Sequence, residues 1–135
     1  MTGLDGRVTI EVEACPGTTT IVVRGELDLA TMPFLAAQLA LAAQLALAAR
    51  DRPGRLVFDL SGTHFMDCGS ARLITSAGQW LPAGGRLVIR GPRPGVRRVL
   101  ELTGLDAHCE IEPLAAGSNR TRRLAQVREQ SGADR

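Results

Sequence analysis

Asp67-Cys68-Gly69-Ser70 places a carboxyl, a thiol and a hydroxyl at the predicted start of a helix, directly after the strand-like run that ends in Phe65-Met66. A helix N-terminus presents unpaired amides and the positive end of the backbone dipole, so it favours an anion. Two chemistries fit these residues. Ser70 is a candidate phosphoacceptor: the amides accommodate a phosphate, while the neighbouring Asp67 carboxylate adds the like-charge repulsion by which a phosphate dislodges a partner. Cys68 is a candidate redox switch, because the helix terminus favours its thiolate, although Asp67 opposes that. The same residues also fit a structural role, with Asp67 as the N-cap, small residues filling a tight turn and Cys68 a small hydrophobe.

The rest of the chain offers little catalytic chemistry. His64 and His108 fall in different predicted segments, neither within H-E-x-x-H nor beside a nucleophile motif. No phosphate-cradling G-x-x-x-x-G-K-[ST], no G-x-G-x-x-G and no G-x-S-x-G elbow occurs. Cys15, Cys68 and Cys109 are odd in number and far apart, so reduced thiols are expected rather than a disulfide framework or a zinc site. Neither a metal nor a cofactor is expected, and no set of converging acid–base groups supports an enzyme.

The elements that must position the Asp67–Ser70 stretch follow from periodicity. Val8, Ile10 and Val12 alternate with Thr9, Glu11 and Glu13, as in a half-buried strand. The Cys15-Pro16-Gly17-Thr18 turn leads into a second strand, Thr19 to Arg24, so a hairpin is predicted that ends at Gly25-Glu26-Leu27-Asp28. Thr31 is predicted to cap, with its hydroxyl, a helix running to about Arg50, with Pro33 in its first turn. That helix holds a duplication: Leu35-Ala36-Ala37-Gln38-Leu39-Ala40 recurs as Leu41-Ala42-Ala43-Gln44-Leu45-Ala46. A six-residue insertion turns the second copy by about 240° and adds about 9 Å of rise. It reads either as a tolerated expansion or as an apolar ledge for a partner or a second copy.

Leu56-Val57-Phe58 is predicted as a short buried parallel strand that Asp59 ends. Asp67 caps the next helix, whose apolar positions are Ala71, Leu73, Ile74, Ala77, Trp80 and Leu81. A strand from Arg86 to Arg90 follows. Gly91-Pro92-Arg93-Pro94 opens a helix carrying Val96, Val99, Leu100 and Leu102, which Gly104 ends. His108 to Pro113 is a last strand around Ile111, and a weakly amphipathic helix runs from Ala115 or Gly117 to Val127. The order predicts an α/β fold: a single domain with a mixed β-sheet, an antiparallel N-terminal hairpin followed by parallel β-α crossovers, packed against helices. Residues 1–6 form an N-terminal extension, 7–113 the domain, 114–129 a C-terminal helix of the domain or an extension, and 130–135 a disordered tail.

Composition agrees. At 135 residues, 44% hydrophobic and 22% charged, the chain suits one globular core and neither a multidomain enzyme nor a disordered polymer. The apolar run from Pro33 to Ala49 is alanine-rich, carries Gln38 and Gln44, and is short for a membrane span. The first residues lack a secretory h-region, so the chain is expected in the cytoplasm with no membrane segment. All 16 basic residues are arginine. Residues up to Ser118 hold 11 Arg against 12 acids, and Asn119 to Arg135 hold 5 against 2, so the positive charge sits in the tail. That near-neutral body, with only Phe34, Phe58, Phe65 and Trp80 as aromatics, argues against a nucleic-acid surface.

Three separated segments resemble one family. Val57-Phe58-Asp59-Leu60-Ser61-Gly62-Thr63-His64-Phe65-Met66-Asp67 is similar to the strand and loop of the STAS domain, the fold of bacterial anti-sigma factor antagonists. Arg24-Gly25-Glu26-Leu27-Asp28-Leu29-Ala30-Thr31 matches its second strand and Gly-x-Leu-Asp turn. Gly91-Pro92-Arg93-Pro94-Gly95-Val96-Arg97-Arg98-Val99-Leu100-Glu101-Leu102-Thr103-Gly104-Leu105 resembles its last conserved helix and Thr-Gly-Leu ending. The match runs from about Arg7 to Pro113.

The resemblance implies a non-catalytic binding module that takes part in partner switching. Such antagonists capture an anti-sigma factor, often a serine kinase of the histidine-kinase-like ATPase type, and so release a sigma factor for transcription. In the family that kinase phosphorylates a Ser or Thr in Asp-Ser-Ser/Thr-Gly at this helix N-terminus, and the phosphate abolishes binding. Here Cys68 and Gly69 occupy the two hydroxyl positions, and Ser70 falls where the family has glycine. A phosphate on Ser70 is therefore displaced by about 100° of rotation and 1.5 Å of rise. The helix after the Gly-x-Leu-Asp turn is also longer than the family's by about the duplicated segment.

The partner surface so implied centres on Asp67, Cys68, Gly69 and Ser70, bordered by Gly25 and Asp28. Asp67 caps the helix and orients the loop, Gly69 allows close backbone approach, Ser70 is the candidate acceptor, and Arg72 faces outward where it can pair with an acidic partner. Arg93, Arg97 and Arg98 form either a second contact patch or a solvated helix face. A monomer or weak homodimer is expected. Two other readings use the same fold: a redox or small-ligand sensor with Cys68 as reporter, and a scaffold whose binding is not switched at this loop. A transporter's STAS module is disfavoured, because no membrane segment accompanies the domain.

Overall fold

β-branched residues alternating with polar ones build an antiparallel ribbon at the start of the computed structural model, which describes residues 2–4, 7–48 and 54–114. β1 (Thr2–Leu4) pairs with β2 (Val8–Cys15), and β2 pairs with β3 (Thr18–Leu27) across the Pro16-Gly17 turn. β1 lies in the stretch assigned above to an N-terminal extension, and β3 runs on past Arg24 to Leu27. Next come α1 (Met32–Ala48), β4 (Arg55–Met66), α2 (Cys68–Ser76), a 3₁₀ turn (Ala77–Trp80) and β5 (Arg86–Arg90). α3 (Pro94–Leu102), a second 3₁₀ turn (Leu105–His108) and β6 (Glu110–Glu112) follow. The strands form one six-stranded sheet in chain order, and β3–β4, β4–β5 and β5–β6 are parallel. A parallel pair needs a crossover between its strands, and α1, α2 and α3 supply them. This is the expected mixed α/β architecture. The predicted C-terminal helix within 114–129 and the tail 130–135 lie outside the described residues beyond Leu114.

Alternation along the strands puts Ile10, Ile21, Val23, Phe58 and Ile89 on the face that packs against the helices. That face receives Leu35 and Leu39 of α1, Ile74 of α2, and Val96 and Leu100 of α3. Each fully buried side chain of this size contributes about 1.5–3 kcal/mol, so this layer is the main source of stability. The opposite face buries Val22, Val57 and Val88 outside that cluster. The same alternation sets them among arginine–glutamate pairs. Glu112 lies 2.7 Å from both Arg55 and Arg90, and Arg86 grips Glu110 through two bonds of 2.8 and 2.6 Å.

α1 buries Leu35, Leu39 and Ala42 at helical spacing and carries no charged residue over its 17 residues. The duplicated copies face differently, as a rotation of about 240° demands. Leu35 is fully buried, whereas its counterpart Leu41 is 38% exposed. Thr31 does not cap the helix amides. Its hydroxyl donates to the Glu26 carbonyl at 2.8 Å and accepts from the Asp28 amide at 3.0 Å, so it ties down the preceding turn instead.

β4 corrects the expectation that Asp59 ends the central strand. The strand continues to Met66 because Asp59-Leu60-Ser61-Gly62 forms a bulge rather than a turn. Val22 pairs with Asp59 and Arg24 with Gly62, so Leu60 and Ser61 together oppose Val23. The buried Asp59 carboxylate accepts the Ser61 amide at 3.0 Å and the Ser61 hydroxyl at 2.7 Å, and the Thr63 hydroxyl donates to the Val23 carbonyl at 2.9 Å. Side chains thus supply the hydrogen bonds that the irregular ladder lacks. Further on, the helix expected through Leu81 tightens after Ser76 into the first 3₁₀ turn, and Gly104 adopts a left-handed φ of 75° after α3, as its capping role requires.

Candidate functional site

The site is built where β3 and β4 end side by side. Leu27 pairs with Met66, both are buried, and the Asp67 amide donates to the Leu27 carbonyl at 2.9 Å. This bond sets the β3–α1 turn beside the start of α2. Asp67 is the N-cap with extended backbone, and its Oδ1 accepts the Ser70 amide at 2.8 Å, as expected. Cys68 follows as an exposed thiol. Gly69 is not forced by packing, since a Cβ there would meet Met32 at an ordinary 3.5 Å.

Ser70, in contrast, points inward. It is 0% exposed, and its hydroxyl is buried without a hydrogen-bond partner. Its position on α2 explains this, because Ser70, Ala71 and Ile74 share the face that packs on the sheet. A kinase cannot reach this oxygen unless α2 lifts from the core. The structure therefore separates the candidate acceptor from the other candidate residues: Asp67, Cys68 and Gly69 form the rim, and Ser70 lies beneath it.

Gly25 and Asp28 are placed by the turn itself. Gly25 has φ 110°, and a Cβ there would fall 2.1 Å from the Arg7 carbonyl oxygen, so the backbone entering β2 occupies the space a side chain needs. The Asp28 carboxylate accepts the Thr31 amide at 3.0 Å and also binds the Arg7 guanidinium, which reaches Glu26 at 3.0 Å as well. Burial pushes the Asp28 carboxyl up, but the Thr31 amide, the Arg7 guanidinium and the Thr31 hydroxyl together outweigh it and hold it below the usual carboxylate range. Arg7 in turn is raised by its hydrogen bonds to Glu26 and Asp28. Arg72 is exposed one turn beyond Cys68 on α2. In the proposed second patch, Arg93 donates to the Ser61 carbonyl at 3.0 Å and Arg97 pairs along α3 with Glu101 at 3.2 Å, while Arg98 is exposed.

Residues not singled out from the sequence complete the surface. Leu29 is 75% exposed in the β3–α1 turn, and Phe65 is 52% exposed at the end of β4. Phe65 pairs with Glu26, and Met32 lies half-buried against Gly69. Exposed apolar side chains thus sit on the β3–α1 turn and at the end of β4, the two segments that flank the cap of α2, and form an apolar rim beside it. The sequence signal was the run His64-Phe65-Met66, in which two neighbouring apolar residues cannot both face the core of a strand.

The thiols differ. Cys15 and Cys68 are exposed, whereas burial, and then the nearby Asp106, push Cys109 up to about 11. Among the described residues no group of His, Cys, Asp and Glu could hold a metal ion, and no helix is long and apolar enough to cross a membrane.

Residues 10–114 match the family described as "Mlab, STAS domain". A search of curated proteins finds no match. Among solved structures, an anti-sigma factor antagonist from Mycobacterium paratuberculosis superposes with a TM-score of 0.68 at 25% identity, over 86% of this chain and 94% of that one. The phosphorylated form of the Bacillus cell fate determinant SpoIIAA aligns with a TM-score of 0.56 at 21% identity, covering 85% and 98%. A STAS domain protein from Planctomyces limnophilus aligns with a TM-score of 0.64 at 18% identity, covering 86% and 95%. The last two likenesses speak to the fold alone.

Proposed function

Because the chain belongs to the STAS domain family, we propose that it acts as an anti-sigma factor antagonist, binding an anti-sigma factor through the α2 N-terminus and so freeing a sigma factor for transcription. The observation that carries this reading is the exposed apolar rim of Leu29 and Phe65 beside Asp67, Cys68 and Gly69. Exposed large apolar residues beside a polar cap are what a protein partner desolvates. The similarity to the mycobacterial antagonist supports the same class of partner.

In this reading the domain is a binding module and not an enzyme, and its binding is not switched by phosphate on Ser70. A phosphate there places about two negative charges in the apolar layer beneath α2, next to Asp67. An anti-sigma factor of the serine kinase type is compatible with this, but its kinase activity does not act on this hydroxyl.

The test is to express the tagged chain in its host, identify what co-purifies, and measure the intact mass of the bait in the same sample. The expected result is an anti-sigma factor, lost when Phe65→Ser is the bait, together with a bait free of added phosphate. Failure to recover an anti-sigma factor with the folded wild-type chain overturns the antagonist reading. A reductant-reversible mass shift on Cys68 that decides whether a partner is retained favours the redox sensor in its place.

A further inference from the structure

Most described arginines lie against a carboxylate, as Arg55 and Arg90 do on Glu112. Arg72 does not: its guanidinium has no ion pair or hydrogen bond among the described residues. It lines a cleft of about 480 Å³ between α2 with its following 3₁₀ turn, the start of β5, and the 3₁₀ turn Leu105–His108. The α2 side of the cleft is one helical stripe, Arg72, Thr75, Ser76 and Gln79, spaced by three and four residues. Thr75 and Ser76 spend their hydroxyl protons on the Ala71 and Leu73 carbonyls, at 3.1 and 2.6 Å. The donors left for a ligand are Arg72, the Gln79 amide and His108. The apolar lining comes from Leu81, Leu87 and Leu105, and none of the described lining residues is a carboxylate.

These features select a ligand. A permanently charged guanidinium without an internal partner calls for an anion, and its planar fork suits a carboxylate. The leucines call for an apolar body, and the groove, open to solvent along one side, is large enough for a small molecule to lie in it, given that small-molecule sites hold roughly 300–1,000 Å³. We propose that this cleft is a binding site for a small organic carboxylate, its charged end on Arg72 and its apolar body over Leu81, Leu87 and Leu105. Arg72 then serves the cleft rather than an acidic face of a protein partner. The site is distinct from the Leu29–Phe65 rim, so it stands or falls independently of the antagonist reading.

The test is a titration of the full chain followed by amide proton–nitrogen correlation spectra, using indole-3-acetate as the probe, with neutral indole-3-acetamide and with acetate in parallel. Indole-3-acetate is expected to give saturable shifts at Arg72 to Leu81, Gly85 to Leu87 and Leu105 to His108. The amide, lacking the charge, and acetate, lacking the body, bind at least about tenfold more weakly, and Arg72→Gln lowers indole-3-acetate affinity to that of the amide. Arg72 is exposed, so this variant keeps the fold and its spectrum serves as the control. Any of four results overturns the proposal: no saturable shift up to about 10 mM, equal binding of the two indoles, an unchanged affinity in Arg72→Gln, or shifts centred on Leu29 and Phe65.

Discussion

Replacing Ser70 with alanine is expected to stabilise the protein, against the usual direction for a buried residue. The hydroxyl is 0% exposed and has no partner. An unsatisfied buried hydroxyl costs about 1–3 kcal/mol, and its removal recovers that amount. Alanine also has the higher helix propensity, by roughly 0.5 kcal/mol. Against these stands the space left by one oxygen atom, which at about 24 cal/mol per Å³ amounts to a few tenths of a kcal/mol. The cap is untouched, because Asp67 accepts from the Ser70 backbone amide rather than from its side chain. The balance is about 1–3 kcal/mol in favour of the variant. In a domain of this size each kcal/mol moves Tm by about 4 °C, so calorimetry and urea unfolding resolve it easily. Loss of stability by more than about 0.5 kcal/mol in Ser70→Ala refutes the reasoning, since it means that the hydroxyl is satisfied in the native state. Partner binding by this variant is expected to match wild type, because the oxygen lies beneath the surface.

Other substitutions separate packing from recognition. Gly25→Ala, which drives a Cβ to 2.1 Å from the Arg7 carbonyl at φ 110°, should cost at least about 2 kcal/mol in urea unfolding. Phe65→Ser, at a position 52% exposed and so about half buried, should cost about 1 kcal/mol of stability, leaving the domain folded, while weakening anti-sigma factor binding by about thirtyfold in calorimetric titration. In thiol titration at pH 8, Cys15 and Cys68 should react quickly; Cys109, with its value moved from 9.0 to about 11, should present about a hundredfold less thiolate than an ordinary thiol and react last. Hydrogen bonding to Arg86 holds Glu110 below the usual carboxylate range, and Asp28 is also held low. A lowered carboxyl adds stability that is full above its unfolded value, about 4, and is lost as pH falls through the folded one. Unfolding curves should therefore weaken steadily below about pH 5, and less steeply in Arg7→Gln, which removes the cation from Asp28.

The sequence alone determined what depends on residues close together in the chain. The hairpin follows from alternation and the Pro16-Gly17 turn, the start of α2 from Asp67 and its reach to the Ser70 amide, and the end of α3 from a left-handed Gly104. The family resemblance rests on these same local motifs, which is why the mixed sheet with parallel crossovers was legible in advance. Tertiary structure decided the rest, because burial and bulges depend on partners far away in sequence. Asp59-Leu60-Ser61-Gly62 has the composition of a turn. It remains in the strand because β3 runs alongside it and Thr63 reaches across to Val23. Ser70 reads as a hydroxyl at an exposed helix start, yet it shares with Ala71 and Ile74 the face of α2 that packs on the sheet, which turns it inward. The Leu29–Phe65 rim and the Arg72 cleft each join segments more than thirty residues apart in the chain. No local pattern encodes such a meeting, since the parallel pairing of β3 with β4 brings the rim residues near each other and the packing of α2 against its neighbours forms the cleft.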